Sequence, residues 1–402
     1  MHLDPVHSLD QPCRLSVPFS GAYYGVLGRR LGAIDTTALL CAAYLAYRLV
    51  IIAPLQTGGN IDILDLTGSV GALLAGVVLF RIARQEELRS EIIRSLKWLV
   101  VLLLVMEAYQ IAIGLPRLFA LGYKEGFYFY TASGDYRPFG PFLSPTVFGA
   151  YLAVVGSAVI MASRGRAAFF WFVAVAVGLI FTETRAAQIA FVLAMFITVA
   201  VISPLVRRRV VQVFIPAAYV ALIVFLINPT LLASRFERLS TLTDMGDTSN
   251  SARVHLWAGT IEAAAASPVV GYPREMFVTV LSPLIGADAS YGHAHSNYLQ
   301  VLFEQGAVGL IFFITILILG FVGIRRHMRY GDPATARYAA AGLAALSAFT
   351  VDSFFETSWT SMNVVATVLL LVGLGLKGRP VERDHSADSR GNSPVNRARI
   401  PG

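Results

Sequence analysis

The stretch of sequence that decides the fold is residues 293–324, HAHSNYLQVLFEQGAVGLIFFITILILGFVGI. Its second half is apolar, and an apolar helix needs about 20 residues to cross a bilayer. Its first half places two histidines, His293 and His295, where a loop enters that helix. Ionisable groups at the edge of the hydrocarbon are costly, so they favour a reactive site or a substrate path. The alternative is a histidine pair that only caps a helix at the membrane interface.

The composition of the whole chain also indicates a membrane protein. Of its 402 residues, 56% are hydrophobic and 14% are charged, whereas soluble domains carry about 25% charged residues. The formal net charge is +7, but Lys and Arg occur in short clusters between apolar runs. This distribution indicates membrane topology and argues against a nucleic-acid partner. Cys13 and Cys41 are too few for a disulfide framework or a thiolate metal site, and the N-terminus lacks the pattern of a cleaved signal peptide.

Apolar runs along the chain predict an all-α polytopic membrane protein with about ten, and up to twelve, transmembrane helices. The predicted spans are residues 34–53, 64–80, 96–114, 143–162, 167–181, 186–206, 210–227, 298–324, 336–350 and 360–376. The membrane domain therefore covers residues 34–376. A cytoplasmic or interfacial segment, residues 1–33, precedes it, and a polar tail, residues 377–402, follows and is expected to be disordered.

Positive charge predicts the orientation of these helices. Lys and Arg clusters occupy every second connection, which the positive-inside rule assigns to the cytoplasm together with both termini. The clusters are Arg29 and Arg30; Arg81, Arg84, Arg89, Arg94 and Lys97; Arg164 and Arg166; residues 207–209; Arg325, Arg326 and Arg329; and Lys377 with Arg379. The outer connections are then residues 56–63, 116–141, 182–185, 228–297 and 351–359. The largest of these outer connections is the loop of residues 228–297.

Three of the arginines in these outer connections, on the same predicted side as the histidines, are singled out by their settings. Arg137, Arg185 and Arg253 are candidate ligand-binding residues, since the planar guanidinium binds phosphate oxygens in pairs. They suggest a phosphate or diphosphate ligand. Arg185 stands in a tight turn between two apolar helices, where it must snorkel or face a polar cavity. The alternative for Arg253 is an ion pair with Glu262 or Asp247 on a solvated surface.

The large outer loop is predicted to contain a helix. Ser and Asn at residues 249–251 provide N-caps, and good helix formers continue from 253 to 266, before Pro268 ends the run. Such a helix would lie on the membrane and hold Arg253 near its positive N-terminal end. The predicted apolar stripe comprises Val254, Trp257, Ile261 and Ala264.

The run AHSNYLQ at residues 294–300, with Glu304, Gly306 and Gly309 at the following spacings, resembles the signature of the O-antigen ligase and O-antigen polymerase superfamily. Further similarity lies in Arg253-x-x-x-Trp257 before residues 267–272. It continues in the TRAA run at 184–187 and the RPFG run at 137–140. The resemblance covers roughly residues 137–309.

The resemblance implies a membrane fold of the polyprenyl-dependent glycosyltransferase type in the bacterial inner membrane. Such proteins transfer a glycan from an undecaprenyl-diphosphate carrier to an acceptor hydroxyl, on a glycan or a lipid core, at the periplasmic face. They use neither metal nor cofactor. His295 matches the family histidine and His293 does not. Arg185 and Arg253 match the two arginines expected to hold the diphosphate, and Arg137 matches the flanking loop.

These roles are chemically consistent. His295 would accept the proton of the attacking hydroxyl, the arginines would stabilise the charged leaving group, and direct attack would invert the anomeric centre. Glu304 is expected to orient polar groups or to pack in a polar seam, and Gly306 and Gly309 to be close-packing positions between membrane helices. Two acidic residues between the last spans, Asp352 and Glu356, are expected in a solvated loop, with contact to the acceptor as the alternative.

Two other classes of protein fit parts of the pattern. A zinc hydrolase would use His293 and His295 as ligands, but no third ligand follows at a recognisable spacing. A transporter or flippase for a lipid-linked glycan, without catalysis, would also use outer arginines and many spans. Against it, the sequence contains no internal repeat and no evident pair of Gly- or Pro-broken helices. Length and loop size favour a ligase or a polysaccharide polymerase over a protein O-glycosyltransferase.

Overall fold

The computed structural model describes Tyr47 and residues 74–122, 136–142, 144–201, 248–330, 332–358 and 361–376. The elements of these residues are helices, which confirms the predicted all-α class. The α-helices are α1 Leu74–Ala83, α2 Arg89–Ala120, α3 Pro145–Ala162, α4 Gly165–Thr182, α5 Arg185–Val201, α6 Thr248–Ala266, α7 Phe277–Ile285, α8 Asn297–Tyr330, α9 Pro333–Asp352 and α10 Met362–Gly375. Predicted spans 34–53 (except Tyr47) and 210–227, the N-terminal segment 1–33 and the tail 377–402 lie outside the described residues.

Four helical segments in the described part are long and apolar enough to cross a membrane. They are Glu86–Ala120, Pro145–Ala162, Gly165–Thr182 and Asn297–Met328. Three shorter apolar helices, α1, α5 and α10, accompany them. The predicted spans 96–114, 143–162, 167–181 and 298–324 coincide with the four long helices. Length and composition thus support a polytopic membrane protein.

Helix α9 forms the centre of the bundle and packs against α3, α5, α8 and α10. Every residue from 339 to 349 is buried, and most of them are Ala or Gly. A Cβ atom placed at Gly342 would lie 2.6 Å from the carbonyl oxygen of Leu371 in α10. Small residues allow this close approach, which drives association of helices where the surroundings are as apolar as the side chains.

Contacts between helix termini show which ends lie together. The Thr184 hydroxyl, just before α5, donates to the carbonyl of Pro145 at the start of α3 (3.2 Å). The hydroxyl groups of Tyr151 in α3 and Thr367 in α10 are 3.1 Å apart, and both residues lie in the first two turns of their helices. The starts of α3, α5 and α10 therefore share one end of the bundle with the end of α9, which a short connection joins to α10. We refer to this end of the bundle as the site end.

The opposite end is rich in arginine. The Arg89 guanidinium, at the start of α2, donates to the carbonyl of Leu376 after α10 (2.8 Å) and lies 5.7 Å from the centre of the Tyr338 ring. Arg164, before α4, and Arg325, near the end of α8, belong to the same end by the direction of their helices. This arginine end matches the connections where the sequence concentrates positive charge.

Two of the long helices are interrupted by glycine. Helix α2 loses helical geometry at Gly114 (φ 70°, ψ 167°), where the predicted span ends, and α8 loses it at Gly306 (φ 62°, ψ −169°). The sequence analysis found no evident pair of Gly- or Pro-broken helices, whereas the structure has a glycine break in each of these two helices. Gly306 is a break in α8, and a Cβ at Gly309 would meet the side chain of Gln305 from the same helix. Gly306 is thus a close-packing position, as expected, but it packs against the backbone of Val269 and Pro268 and not against another membrane helix.

The segment 268–271 fills the break in α8. The Ala307 amide donates to the carbonyl of Pro268, and the Tyr272 amide donates to the carbonyl of Phe303, each over 2.7 Å. The hydroxyl of Tyr47 lies 3.2 Å from the carbonyl oxygens of both Val269 and Gln305. These bonds replace those that the helix loses at its break, and they attach α6 and α7 to the start of α8.

Candidate active site

His295 lies in the short loop that leads into α8. The 3-10 turn Gly286–Tyr291 precedes it, and Asn297 begins the helix. The backbone of His295 is left-handed, with φ 48°. Few residues other than glycine adopt this conformation, and those that do are concentrated at functional sites. The His295 amide donates to Nδ1 of His293 (3.3 Å).

Side chains from the first turns of α8 hold this loop. The Ala294 amide donates to Oε1 of Gln300 (2.8 Å), and Nε2 of Gln300 donates to Oε1 of Glu304 (2.8 Å). Gln300 and Glu304 are both buried. Glu304 thus orients Gln300, which orients the loop, and the expected orienting role of Glu304 is confirmed.

The loop is also bonded to the connection between α9 and α10. The Asn297 amide donates to the carbonyl of Ser353 (2.8 Å). Its side-chain Nδ2 donates to the hydroxyl oxygens of Ser353 (2.7 Å) and Ser358 (3.2 Å). Asn297 is fully buried. The start of α8 is therefore at the site end, and the 353–358 segment folds over it.

Glu356 connects two of the predicted site residues. Its Oε1 accepts from Nη2 of Arg253 (2.9 Å), and its Oε2 lies 3.4 Å from Nδ1 of His295. The expectation of a solvated loop for the two acidic residues is wrong, because Glu356 is 6% exposed and Asp352 1% exposed. The bonds from Asn297 draw the connection inward, so the acidic side chains lie inside the protein.

The charge of Glu356 is maintained by its neighbours. Burial alone would raise the pKa of Glu356, but the hydrogen bond from His295 and the positive charges of His295 and Arg253 outweigh burial and lower this pKa to about 2. An ionised Glu356 accepts hydrogen bonds only, so Nδ1 of His295 carries the hydrogen. In the neutral imidazole, Nε2 of His295 then has the free lone pair.

His293 belongs to the same site, although the resemblance assigned a role only to His295. The two imidazole centres are 4.1 Å apart with their planes at 61°. Burial, followed by the positive charge of His295, lowers the pKa of His293 to about 4, and Arg274 and Arg253 act in the same direction. His293 is therefore neutral near pH 7. The H-x-H spacing was the only signal in the sequence for its participation.

The other two predicted arginines lie at a different turn. The turn after α4 is tight, as predicted, with Glu183 in a left-handed conformation (φ 49°). Arg137 donates from Nε to the carbonyl of Thr182 (3.0 Å) and from Nη2 to the hydroxyl of Thr184 (3.1 Å). Arg185 is half-buried and begins α5 directly after this turn. Arg137 and Arg185 thus form one group at the site end.

Gln110 of α2 fixes the loop that carries Arg137. Its Oε1 accepts from the amides of Phe139 (3.0 Å) and Gly140 (2.9 Å), and its Nε2 donates to the carbonyl of Gly140 (2.7 Å). Gln110 is buried at 2% exposure. A single amide side chain therefore satisfies three buried backbone groups and positions Arg137 from inside the bundle.

Arg253 and the helix around it differ in part from expectation. Helix α6 forms, but Val254 and Ile261 of the predicted stripe are 42% and 55% exposed. The other two residues of the stripe agree with the prediction, since Trp257 packs against a core cluster of Leu256, Ala263 and Phe277, and Ala264 is buried. Arg253 pairs with the buried Glu356 and not with Glu262 on a solvated surface, and Asp247 lies outside the described residues. The pairing uses only part of its guanidinium, and its side chain is 23% exposed.

The metal-site alternative needs a third ligand beside His293 and His295. Within the described ranges, no group of three or more His, Cys, Asp or Glu side chains is arranged to hold a metal ion. His255 lies on an exposed surface, where its Nδ1 is 2.8 Å from Oδ2 of Asp288.

Comparison with known families gives one match. Residues 168–314 match the sequence model of a family described as O-antigen ligase. The matched region begins in α4, ends within α8, and contains Arg185, Arg253, His295 and Glu304, but neither Arg137 nor Glu356. None of the curated proteins compared with the chain matches it.

Proposed function

We propose that this chain, a glycosyltransferase of the O-antigen ligase family, transfers a glycan from an undecaprenyl-diphosphate carrier to a hydroxyl of a glycan or lipid-core acceptor. The reaction takes place at the outer face of the bacterial inner membrane, inverts the anomeric centre and needs no metal. The observation that supports this proposal most directly is the buried cluster of His295, Glu356 and Arg253.

His295 acts as the general base. A sugar hydroxyl is a poor nucleophile until its proton is accepted during attack. Glu356 holds Nδ1–H of His295, so Nε2 faces the acceptor with its lone pair and receives the proton. The acceptor oxygen bonds to the anomeric carbon of the donor, and the bond from that carbon to the diphosphate oxygen breaks. Attack from the side opposite the leaving group gives inversion.

Arg185 and Arg253 bind the diphosphate, and Arg137 supports the turn beside Arg185. The departing undecaprenyl diphosphate gains negative charge, and each fixed donor aimed at such charge commonly contributes about 2.7–4 kcal/mol. A guanidinium has five N–H donors, so Arg253 retains donors for phosphate while Nη2 contacts Glu356. Guanidinium groups take the place of the divalent cation that nucleotide-sugar enzymes use.

The orientation follows from the two ends of the bundle. The arginine end carries the clusters that the positive-inside rule assigns to the cytoplasm. The site end, with the start of α8 and the 353–358 segment, is then the outer end. A lipid-linked donor in the outer leaflet would present its diphosphate at this level.

The broken helices favour a transporter as a second candidate, because discontinuous helices line the binding sites of many transporters. The break at Gly306 has a different explanation here. The backbone groups that lose their helical partners at this break are bonded to the 268–271 segment. The break therefore attaches α6 and α7 to α8 and does not line an open site. We therefore prefer the transferase.

Release of undecaprenyl diphosphate tests the proposal. Purified protein is added, in excess EDTA, to membranes extracted from the native bacterium after deletion of the gene, so that donor and acceptor are both present. We expect activity from the wild type, loss of about 10²–10⁴-fold for His295→Ala, the usual contribution of a general base, and a smaller loss for Glu356→Gln. His255→Ala, an exposed histidine of α6, is the matched control and should remain active.

Three outcomes would contradict the proposal. Full activity of His295→Ala would remove the base. Loss of activity in EDTA that zinc or magnesium restores would support a metalloenzyme. Carrier that crosses the bilayer of sealed vesicles without release of undecaprenyl diphosphate would support the transporter.

A further inference from the structure

His293 joins the two segments that carry the proposed base and its carboxylate partner. Its Nδ1 lies 3.3 Å from the amide nitrogen of His295 and 3.0 Å from Oγ1 of Thr357. An amide N–H can only donate, so Nδ1 is an acceptor, and the Thr357 hydroxyl donates to the same atom. The hydrogen of the neutral His293 ring is then on Nε2.

The bond within the loop has the geometry of a known turn. In an Asx turn, Oδ1 of Asn or Asp accepts from the amide two residues later. Nδ1 of His293 occupies the position of Oδ1 and accepts from the amide of His295. This bond supports the left-handed backbone of His295, with φ 48°, which a histidine adopts only where its surroundings hold it.

The second bond reaches the segment of Glu356. Thr357, which bonds to His293, directly follows Glu356 in the chain. Oε2 of Glu356 in turn lies 3.4 Å from Nδ1 of His295. Nδ1 of His293 thus contacts both the backbone of His295 and the side chain of Thr357, the residue next to Glu356. A shift of either segment would change the distance between His295 and Glu356.

We propose that His293 is a positioning residue, whose Nδ1 holds the His295 backbone and the Glu356 segment together so that His295 presents Nε2 to the acceptor. This inference rests on the proposed function of His295. The burial of His293 and the positive charges of Arg274 and Arg253 supply a supporting observation. They lower the pKa of His293 to about 4, so that Nδ1 keeps its lone pair at neutral pH.

Three substitutions at this position separate the two ring nitrogens. His293→Asn places an amide oxygen near the position of Nδ1 and retains the acceptor. His293→Gln places its amide near the position of Nε2 and loses the acceptor, and His293→Ala removes both. We expect kcat of His293→Asn to stay within a few-fold of wild type. The Gln and Ala variants should lose up to about 10²-fold in kcat, as expected for a misplaced catalytic group, with KM unchanged.

The Asn and Gln variants form the decisive pair, because both are polar and similar in size, and their thermal unfolding in detergent shows whether each is folded. Activity of His293→Gln with loss in His293→Asn would overturn the proposal and indicate a substrate contact through Nε2. Equal activity of all three variants would also overturn it, as would a rise in KM without a fall in kcat. Failure of the proposed function is seen separately, as full activity of His295→Ala.

Discussion

At the scale of single residues, the site depends on a buried negative charge. Glu356 is 6% exposed, and an unpaired carboxylate would not stay ionised in such surroundings. Arg253 and His295 each bond one of its oxygens. The carboxylate therefore orients the imidazole, as the acidic member of a catalytic triad does, and it joins this imidazole to Arg253, the residue proposed to bind the diphosphate.

The two shifted groups make stability depend on pH in a defined direction. The pKa of His293 is about 4 in the folded protein against an ordinary 6.5, and that of Glu356 is about 2 against 4.5. In both cases the unfolded chain binds a proton at a higher pH than the folded protein, so stability falls as pH falls. The window for His293 is from 6.5 down to 4, and the window for Glu356 is from 4.5 down to 2.

We expect the melting temperature in detergent to fall between pH 6.5 and pH 4, and His293→Asn to reduce this dependence, because asparagine does not titrate. Thermal unfolding at several pH values measures this dependence of the melting temperature on pH. His255→Asn, at an exposed site, is the control and should keep the wild-type slope. An unchanged slope in His293→Asn would mean that the folded protein does not hold His293 neutral.

At the scale of elements, the break in α8 is the feature that attaches α6 and α7 to the rest of the bundle. Gly306 has φ 62° and ψ −169°, a region open essentially to glycine alone. A Cβ at Gly306 would also meet the backbone of Val269, and one at Gly271 would meet the carbonyl of Phe303. Both glycines allow the backbones of α8 and the 268–271 segment to touch.

We expect Gly306→Ala to destabilise the protein by more than the roughly 1–3 kcal/mol of backbone strain alone, since the new methyl group also collides with Val269. Gly165→Ala is the matched control, because Gly165 also has a positive φ (52°) but nothing lies within 4 Å of an added Cβ. Thermal unfolding of the two variants measures the difference. A loss no larger for Gly306→Ala than for Gly165→Ala would show that the contact with Val269 is loose.

At the scale of the whole molecule, the two ends of the bundle must face opposite sides of the membrane. Single cysteines replace Glu262 in α6 and Arg166 in α4, both exposed, in a background without Cys13 and Cys41. A membrane-impermeant thiol reagent added to intact spheroplasts should label the cysteine at 262. It should label the cysteine at 166 only after the membrane is opened. The reverse pattern would place the site end in the cytoplasm and overturn the proposed orientation.

Much of the fold and part of the site could be predicted from local sequence. Hydropathy and length predicted helices α3 and α4 to within a few residues, because helix formation in an apolar phase depends on a continuous run of apolar side chains. Charge clusters predicted which connections share an end. The spacing around His295 resembled a family signature, and the family match covers that residue.

The tertiary structure alone decided how those residues are combined. Arg253 and Glu356 are separated by 103 positions in the chain, and His293 and Thr357 by 64. No sequence periodicity connects such pairs. They meet only because α9 places the connection between α9 and α10 beside the start of α8. The burial of Glu356, the partner of Arg253 and the role of Gly306 as a break all depend on that meeting. A local pattern determines which helices form and where charge is tolerated, whereas the surroundings of a charge depend on residues that are distant in sequence.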